Sequence, residues 1–286
     1  MKGTRFFLLT LGAMLAFAGN SLLCRFALKH TALDPASFTS IRILSGALAL
    51  WLILQLRGEA VQKAGSWSSA LALFVYAAAF SFAYVTLPAA TGALLLFAAV
   101  QATMILWGLR QGERLHPRQW IGLTLALGGL VLLLLPGLAR PSLGGSILML
   151  AAGVAWGIYS LRGKGIADPA RSTAGNFLRA VPFAVLLSLA LLPWARIDRS
   201  GLLWAILSGA LTSGVGYVIW YAALPGLSAT TAATVQLSVP VLAALGGILF
   251  LRESITAGFA VSSIAVLTGI ALVVVKREQR AAISAA

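Results

Sequence analysis

Groups that could ionise inside a fold are scarce in this chain. Of 286 residues only seven are Asp or Glu and two are His, against 21 Lys and Arg. The acids Asp34, Glu59, Glu113, Asp168, Asp198, Glu253 and Glu278 all fall in segments that read as loops or termini, and His30 and His116 lie near loops and far apart. A catalytic acid–base constellation, a histidine metal site and a carboxylate proton relay each need such groups gathered within the fold. The pattern supplies none of them. The single cysteine, Cys24, excludes an intramolecular disulfide and a cysteine-rich metal site. Charged residues make up 10% of the chain, where a soluble domain carries about 25%, so there is too little polar surface to cover a water-soluble globule.

Apolar residues are what is abundant: 60% of the sequence, with a mean hydropathy of +0.95. Apolar runs of about 20 residues, the length a helix needs to cross a bilayer, follow one another from Phe6 to Val275. The expected fold is an all-α polytopic membrane protein. Turn residues and charges set ten candidate helices at 6–28, 36–56, 67–87, 91–109, 118–136, 142–161, 172–192, 201–223, 229–251 and 256–275. Lys2, Arg5 and the run ending in Ala16-Phe17-Ala18 have the form of a cleavable leader, but apolar character continues to Leu28. The segment is therefore read as the first span.

The net charge of +14 does not predict nucleic-acid binding, because the basic residues sit singly or in pairs at the ends of apolar segments. Their distribution gives orientation instead. With the N-terminus inside, thirteen Lys and Arg fall on the cytoplasmic side: Lys2, Arg5, Arg57, Lys63, Arg110, Arg114, Arg118, Arg162, Lys164, Arg171, Lys276, Arg277 and Arg280. Five (Lys29, Arg140, Arg196, Arg199, Arg252) fall outside. This positive-inside bias predicts cytoplasmic termini.

The two halves of the chain echo each other. ALDPASFTSIRIL at 32–44 answers IADPARSTAGNFLRAV at 166–181, and YVTLPAATG at 84–92 answers YAALPGLSA at 221–229. ERLHPRQWIGLTLALGG at 113–129 answers ESITAGFAVSSIAVLTG at 253–269, and Gln101 and Gln236 fall between the second and third matches. Residues 1–140 and 141–286 are accordingly expected to form two five-helix units. An odd number of spans inverts the second copy, the arrangement of secondary transporters with a midplane site. About five residues are missing between Gln101 and Glu113 relative to Gln236–Glu253, so the fourth helix is expected to be shorter.

The Asp-Pro loops followed by Arg42 and Arg179, the acids Glu113 and Glu253 opening the last hairpin of each half, and the glycines Gly128, Gly129 and Gly269 resemble the drug/metabolite transporter superfamily, in particular its ten-helix EamA-type exporters. Within these the chain looks like the YddG-type amino-acid exporters. The resemblance implies inner-membrane export by alternating access.

Neutral polar and aromatic groups at membrane depth are the candidate substrate ligands: Asn20, Tyr76, Tyr84, Gln101, Trp156, Tyr159, Tyr217 and Gln236. Amides and phenols can both donate and accept hydrogen bonds, which suits a small zwitterion, and aromatic walls would hold its side chain. The plainer reading of each glutamine is a bond between helices, contributing about 1 kcal/mol. Trp107 belongs to the same class of groups, while Trp220 and Tyr221 read as interfacial anchors. Arg42 and Arg179 read as snorkelling or helix-end bonds, with a gate or carboxylate site as the alternative. Arg25, near the outer end of the first helix, reads as snorkelling, with contact to a substrate carboxylate at the periplasmic mouth as the alternative. Gly12, Gly46, Gly92, Gly128, Gly129, Gly209, Gly246 and Gly247 are expected to permit close packing, and Pro88, Pro225 and Pro240 are candidate hinges.

The expected function is therefore an inner (plasma) membrane secondary transporter exporting small neutral solutes, amino acids above all, with multidrug or other metabolite efflux as the alternative. A membrane enzyme and a channel are disfavoured, and no cofactor, metal or nucleic-acid partner is expected. The partners are the bilayer and a small-molecule substrate, with the chain a monomer or weak dimer.

Overall fold

A computed structural model describes residues 2–59, 64–112, 116–134, 141–163, 166–223 and 235–274. Glu113, Arg114, Lys63, Arg140, Lys164, Pro225, Lys276, Arg277, Glu278, Arg280 and the expected start of the ninth span at 229–234 lie outside the described residues. The described residues form helices joined by turns, without a strand. The spans are α1 Lys2–His30, α2 Pro35–Leu56, α3 Trp67–Tyr84, α4 Ala89–Arg110, α5 Pro117–Leu134, α6 Leu143–Gly163 and α7 Pro169–Ala190. α8 runs from Arg199 to Ala223 and carries a π-helical stretch, Ser208–Val215, in its middle. α9 is Ser238–Leu251 and α10 is Ala257–Val274. Seven of these are long and apolar enough to cross a membrane, and α5, α9 and α10 are shorter apolar helices. Ala16-Phe17-Ala18 lies inside the unbroken α1.

Local chemistry starts the helices where the sequence predicts. Asp34 caps α2 by accepting from Ala36 N and Ser37 N, Asp168 caps α7 through Arg171 N, and Asp198 caps α8 through Ser200 N and Gly201 N. Each side-chain oxygen satisfies amides that a first helical turn leaves unpaired. Pro35 and Pro169 then occupy first-turn positions, where a missing N–H costs nothing. α9 ends at Arg252, which takes a left-handed conformation (φ 53°).

α4 has 22 residues, three more than the sequence reading gave it: Ala89 and Ala90 follow the Pro88 N-cap, and Arg110 closes the helix. Past the matched glutamines it is the shorter of the two, as expected, since α4 stops at Arg110, nine positions past Gln101, whereas α9 stops at Leu251, fifteen past Gln236. The start of the ninth span lies outside the described residues.

The principal packing pairs are α5–α10, α2–α7 and α4–α9, together with α3–α6 and α1–α8, α4–α6 and α1–α9, and α2–α8 and α3–α7. Exchanging each helix for the one five places along returns the same set of pairs. Close approach is bought by small residues, as expected: a Cβ on Gly209 would run into the Arg42 carbonyl and Ser45 Oγ, and one on Gly153 would lie 2.6 Å from Ala99 Cβ. Gly128 and Gly12 are exceptions, the first with open space around it and the second with room for a Cβ in ordinary contact with Ile219. One face of the bundle carries the N-terminus and the ends of α2, α4 and α6. The opposite face carries the turns 31–34, 85–88, 191–198 and 252–256.

Candidate functional site

At the centre, Phe17, Asn20 and Ser21 of α1, Tyr76 and Phe80 of α3, Leu96 and Phe97 of α4, Trp156 of α6 and Tyr217 of α8 enclose a small cavity. Its accessible volume of ≈ 10 Å³ is about what one water requires, so the centre is closed around its own side chains. The rings interlock. Trp156 lies 4.8 Å from Tyr76 and 4.9 Å from Tyr217, and Phe17 meets Trp156, Tyr217 and Trp220 edge-on at 6.1, 6.2 and 5.7 Å.

Polar groups meet just beside these rings. Asn20 Nδ2 donates to Tyr76 Oη at 3.2 Å, while Asn20 Oδ1 accepts from Ser208 Oγ at 2.7 Å and Thr212 Oγ1 at 3.2 Å. Arg42 Nη2 donates to Tyr76 Oη at 3.0 Å and its Nε to Ser213 Oγ at 3.1 Å. The π stretch explains how one helix serves both residues. Hydrogen bonds spaced i to i+5 turn Ser208 and Ser213 toward the same side, so α8 offers one hydroxyl to Asn20 and another to Arg42. Sequence reasoning missed Ser208, Thr212 and Ser213. The signal was the small polar run SGALTSG in mid-span, read only for the packing glycine Gly209.

Of the eight predicted ligands, Asn20, Tyr76, Trp156 and Tyr217 share the cavity wall. The other four are not among its lining residues. Tyr84 is buried at the C-terminal end of α3, donating to Ala89 O at 3.2 Å, with its ring 4.7 Å from Phe80. Tyr159 sits one layer nearer the N-terminal face, 5.5 Å from Trp156, where it accepts from Asn176 Nδ2 at 3.4 Å. Gln101 is buried in α4 with its Nε2 unpartnered. Gln236 is buried ahead of α9.

Four further expectations change. Trp107 is 49% exposed and lines nothing internal. Trp220 is buried rather than interfacial, because it shares a helix face with Tyr217 and both pack on Phe17. Arg42 does not snorkel: it is 2% exposed and stacks on the rings of Tyr76 and Phe80, with its Cζ 5.1 and 5.0 Å from their centroids. Arg179 donates from Nη1 to Gly175 O, one turn back within α7, and to Ala64 O in the loop before α3, rather than to helix-end carbonyls.

The two ends of the bundle differ. Toward the N-terminal face an open cleft of about 730 Å³ is walled by Ser66, Ser69, Arg162, Asp168, Arg171 and Ser172 among others. A narrow crevice beneath it reaches Tyr159, Thr173, Asn176 and Tyr221. The opposite face is clasped. Arg25, which neither snorkels nor stays open at a mouth, pairs with Glu253 and donates to the carbonyls of Tyr84 and Val85. Glu253 Oε2 also accepts from Ala89 N at 2.8 Å.

Among the described residues, ten apolar helices thus surround a closed centre, with a cleft on one side and a clasp on the other. The EamA-like transporter family matches residues 4–135 and again 143–275. The chain belongs to that family, and so is a polytopic membrane transporter. It is 58% identical to an uncharacterized protein of Pseudomonas aeruginosa over 283 residues, 99% of each chain. It is 28% identical to an uncharacterized transporter of Archaeoglobus fulgidus, covering 93% of this chain and 96% of the other. Over 150 residues, 49% of each chain, it is 35% identical to the threonine/homoserine exporter RhtA of Escherichia coli (strain K12). A solved crystal structure shares the fold, with a TM-score of 0.66 at 19% identity over 94% of this chain and 96% of that one.

Proposed function

We propose that the protein is an inner-membrane exporter of small neutral solutes, amino acids foremost, working by alternating access around the central cavity. The observation that carries this reading is the closed centre itself: amide, phenol and hydroxyl groups beside an aromatic cage, set between a clefted face and a clasped one. The half-chain similarity to a threonine/homoserine exporter supports the substrate class. Residues 1–140 and 141–286 are the two inverted units that rock against each other. The five-place exchange of helix pairs and the two successive family matches support that division. Both termini are cytoplasmic, which makes the cleft the inward mouth and the Arg25–Glu253 clasp the outer barrier.

In this cycle a solute enters from the cleft, passes the Tyr159–Trp156 layer and is held at Asn20 and Tyr76. It leaves once the outer clasp parts. Gln101 and Gln236, one in each half, serve the same path in another state of the cycle. The test is a proteoliposome panel of radiolabelled amino acids, sugars and drugs on the purified full chain. Uptake confined to amino acids is expected, and transport of drugs without amino acids would overturn the reading in favour of multidrug efflux.

A further inference from the structure

Position 42 lies in the second turn of α2, within the run FTSIRILSG. A guanidinium there either reaches for water or serves the interior, and its burial decides for the interior. A guanidinium carries five N–H donors and no acceptor. Nε is used by Ser213 and Nη2 by Tyr76, but Nη1 is buried with no partner. Among the described residues the ion pairs are Arg25–Glu253, Lys29–Glu253 and Arg171–Asp168, so Arg42 has no carboxylate partner there. A buried cation without a counter-charge is costly, and in a membrane protein such a group marks a substrate or ion pathway.

Tyr76 extends the argument to the cavity. Its oxygen accepts from both Arg42 Nη2 and Asn20 Nδ2, which occupies both lone pairs and leaves its own proton to donate. Tyr76 is a wall residue of the cavity, and Arg42 stacks on it and on Phe80, a second wall residue. Tyr217 Oη, in the same wall, makes no well-formed hydrogen bond. The centre therefore holds donors and positive charge in excess of acceptors. Its complement is a group that only accepts and carries negative charge, as a carboxylate does.

We propose that Arg42 is the counter-charge for a substrate carboxylate, with the Tyr76 hydroxyl as the donor that meets it at the cavity wall. The substrates are then small carboxylates, and the α-amino group of an amino acid is dispensable. An ammonium would rest on the faces of Trp156, Tyr217 and Phe17, where a cation–π contact suffices. This inference rests on the central cavity being the transport site.

The test uses the full chain in proteoliposomes. Uptake of the best-transported labelled amino acid is competed with its deaminated acid, its decarboxylated amine and its methyl ester. The same compounds are scored by thermal shift of the detergent-purified protein. The acid should compete comparably to the parent, and the amine and ester about ten- to a hundredfold more weakly, as loss of a hydrogen bond to a charged group predicts. Arg42→Lys should retain the preference at reduced affinity and Arg42→Gln should abolish it. Should Arg42→Gln fail to fold, the competition series on the unaltered chain still decides.

An amine or ester as potent as the acid overturns the proposal, and so does the lack of any carboxylate that competes or shifts the melting temperature. If amino acids are transported but their esters equally well, export of amino acids stands and the role of Arg42 falls. If only carboxylates without an amino group are carried, the reverse holds.

Discussion

Arg25 on α1 and Glu253 in the turn after α9 stand 3.0 Å apart, 228 positions away in sequence, with side chains only 9% and 10% exposed. The pair ties α1 to the α9–α10 turn, and Glu253 reaches on to the first amide of α4. Removing one partner of a buried pair costs about 3–5 kcal/mol because the other charge is left stranded. Glu253→Gln should therefore weaken closure of that face. Cys24, fully buried and next to Arg25, is a built-in reporter. Its labelling by a membrane-impermeant maleimide applied to that face should be slow in the parent and several-fold faster in Glu253→Gln. Equal rates would show that the pair does not hold the face shut.

Gln101 presents the opposite situation. Its Nε2 is buried without a partner, and an orphaned donor of this kind costs about 1–3 kcal/mol. Gln101→Leu should thus leave the melting temperature equal or raise it, while transport falls because the amide serves another state of the cycle. A lower melting temperature would mean the amide is bonded in the resting protein, and undiminished transport would remove it from the path.

The α2–α8 crossing at Gly209 has no room for a side chain. A Cβ there would meet the Arg42 backbone, which cannot swing aside as a flexible side-chain end could. Gly209→Ala should lower stability by about 1–3 kcal/mol, read as a melting temperature in detergent, and should disturb the Arg42–Ser213 bond with it. A neutral Gly209→Ala would mean that the two helices part easily.

Two acids clasp the loops of the opposite face reciprocally. Asp34 caps α2 and its Oδ2 accepts from Arg196 N, while Asp198 caps α8 and accepts from Ala32 N. Burial pushes the Asp34 carboxyl up, but hydrogen bonds from Ser37, Arg196 and Ala36 outweigh it and hold it below its ordinary value. The Ser200 hydroxyl, then backbone amides, hold Asp198 lower still. Lowered folded values contribute stability that is complete above the unfolded carboxylate value of about 3.9 and is lost as pH falls through the folded values. Thermal stability should therefore decline on acidification below about pH 4. Asp34→Asn with Asp198→Asn should lower stability at neutral pH and flatten that acid limb. An unchanged limb would place the acid sensitivity elsewhere.

The helices were legible because their signals are local and strong: apolar runs of spanning length, with Asp-Pro caps at the start of α2 and α7. Asn20, Tyr76, Trp156 and Tyr217 were legible because polar and aromatic groups at membrane depth are few. The glutamines were harder, since matched positions in the two halves fix depth in the bilayer but not which way a side chain turns. Arg42 was ambiguous because a long side chain near a helix end can reach water or turn inward, and only packing against Tyr76 and Phe80 decides. Ser208, Thr212 and Ser213 were harder for a different reason. Ser208 and Thr212, four apart, share a face of an ordinary α-helix, but that reading has no place for the extra residue of a π turn, which brings Ser213 round to the same side.

That π turn also sets how freely α8 can travel. Its bonds to Asn20 and Arg42 all end on serine or threonine hydroxyls. A hydroxyl rotates about its C–O bond and can switch between donating and accepting, so it can trade one partner for the next as a neighbouring helix moves past. Had a carboxylate stood at 213, its contact with Arg42 would be an ion pair, directional and costly to separate. With neutral rotors there instead, the hydroxyl contacts of α8 with α1 and α2 can be exchanged without parting an ion pair, even where Gly209 seats α8 tightly on α2.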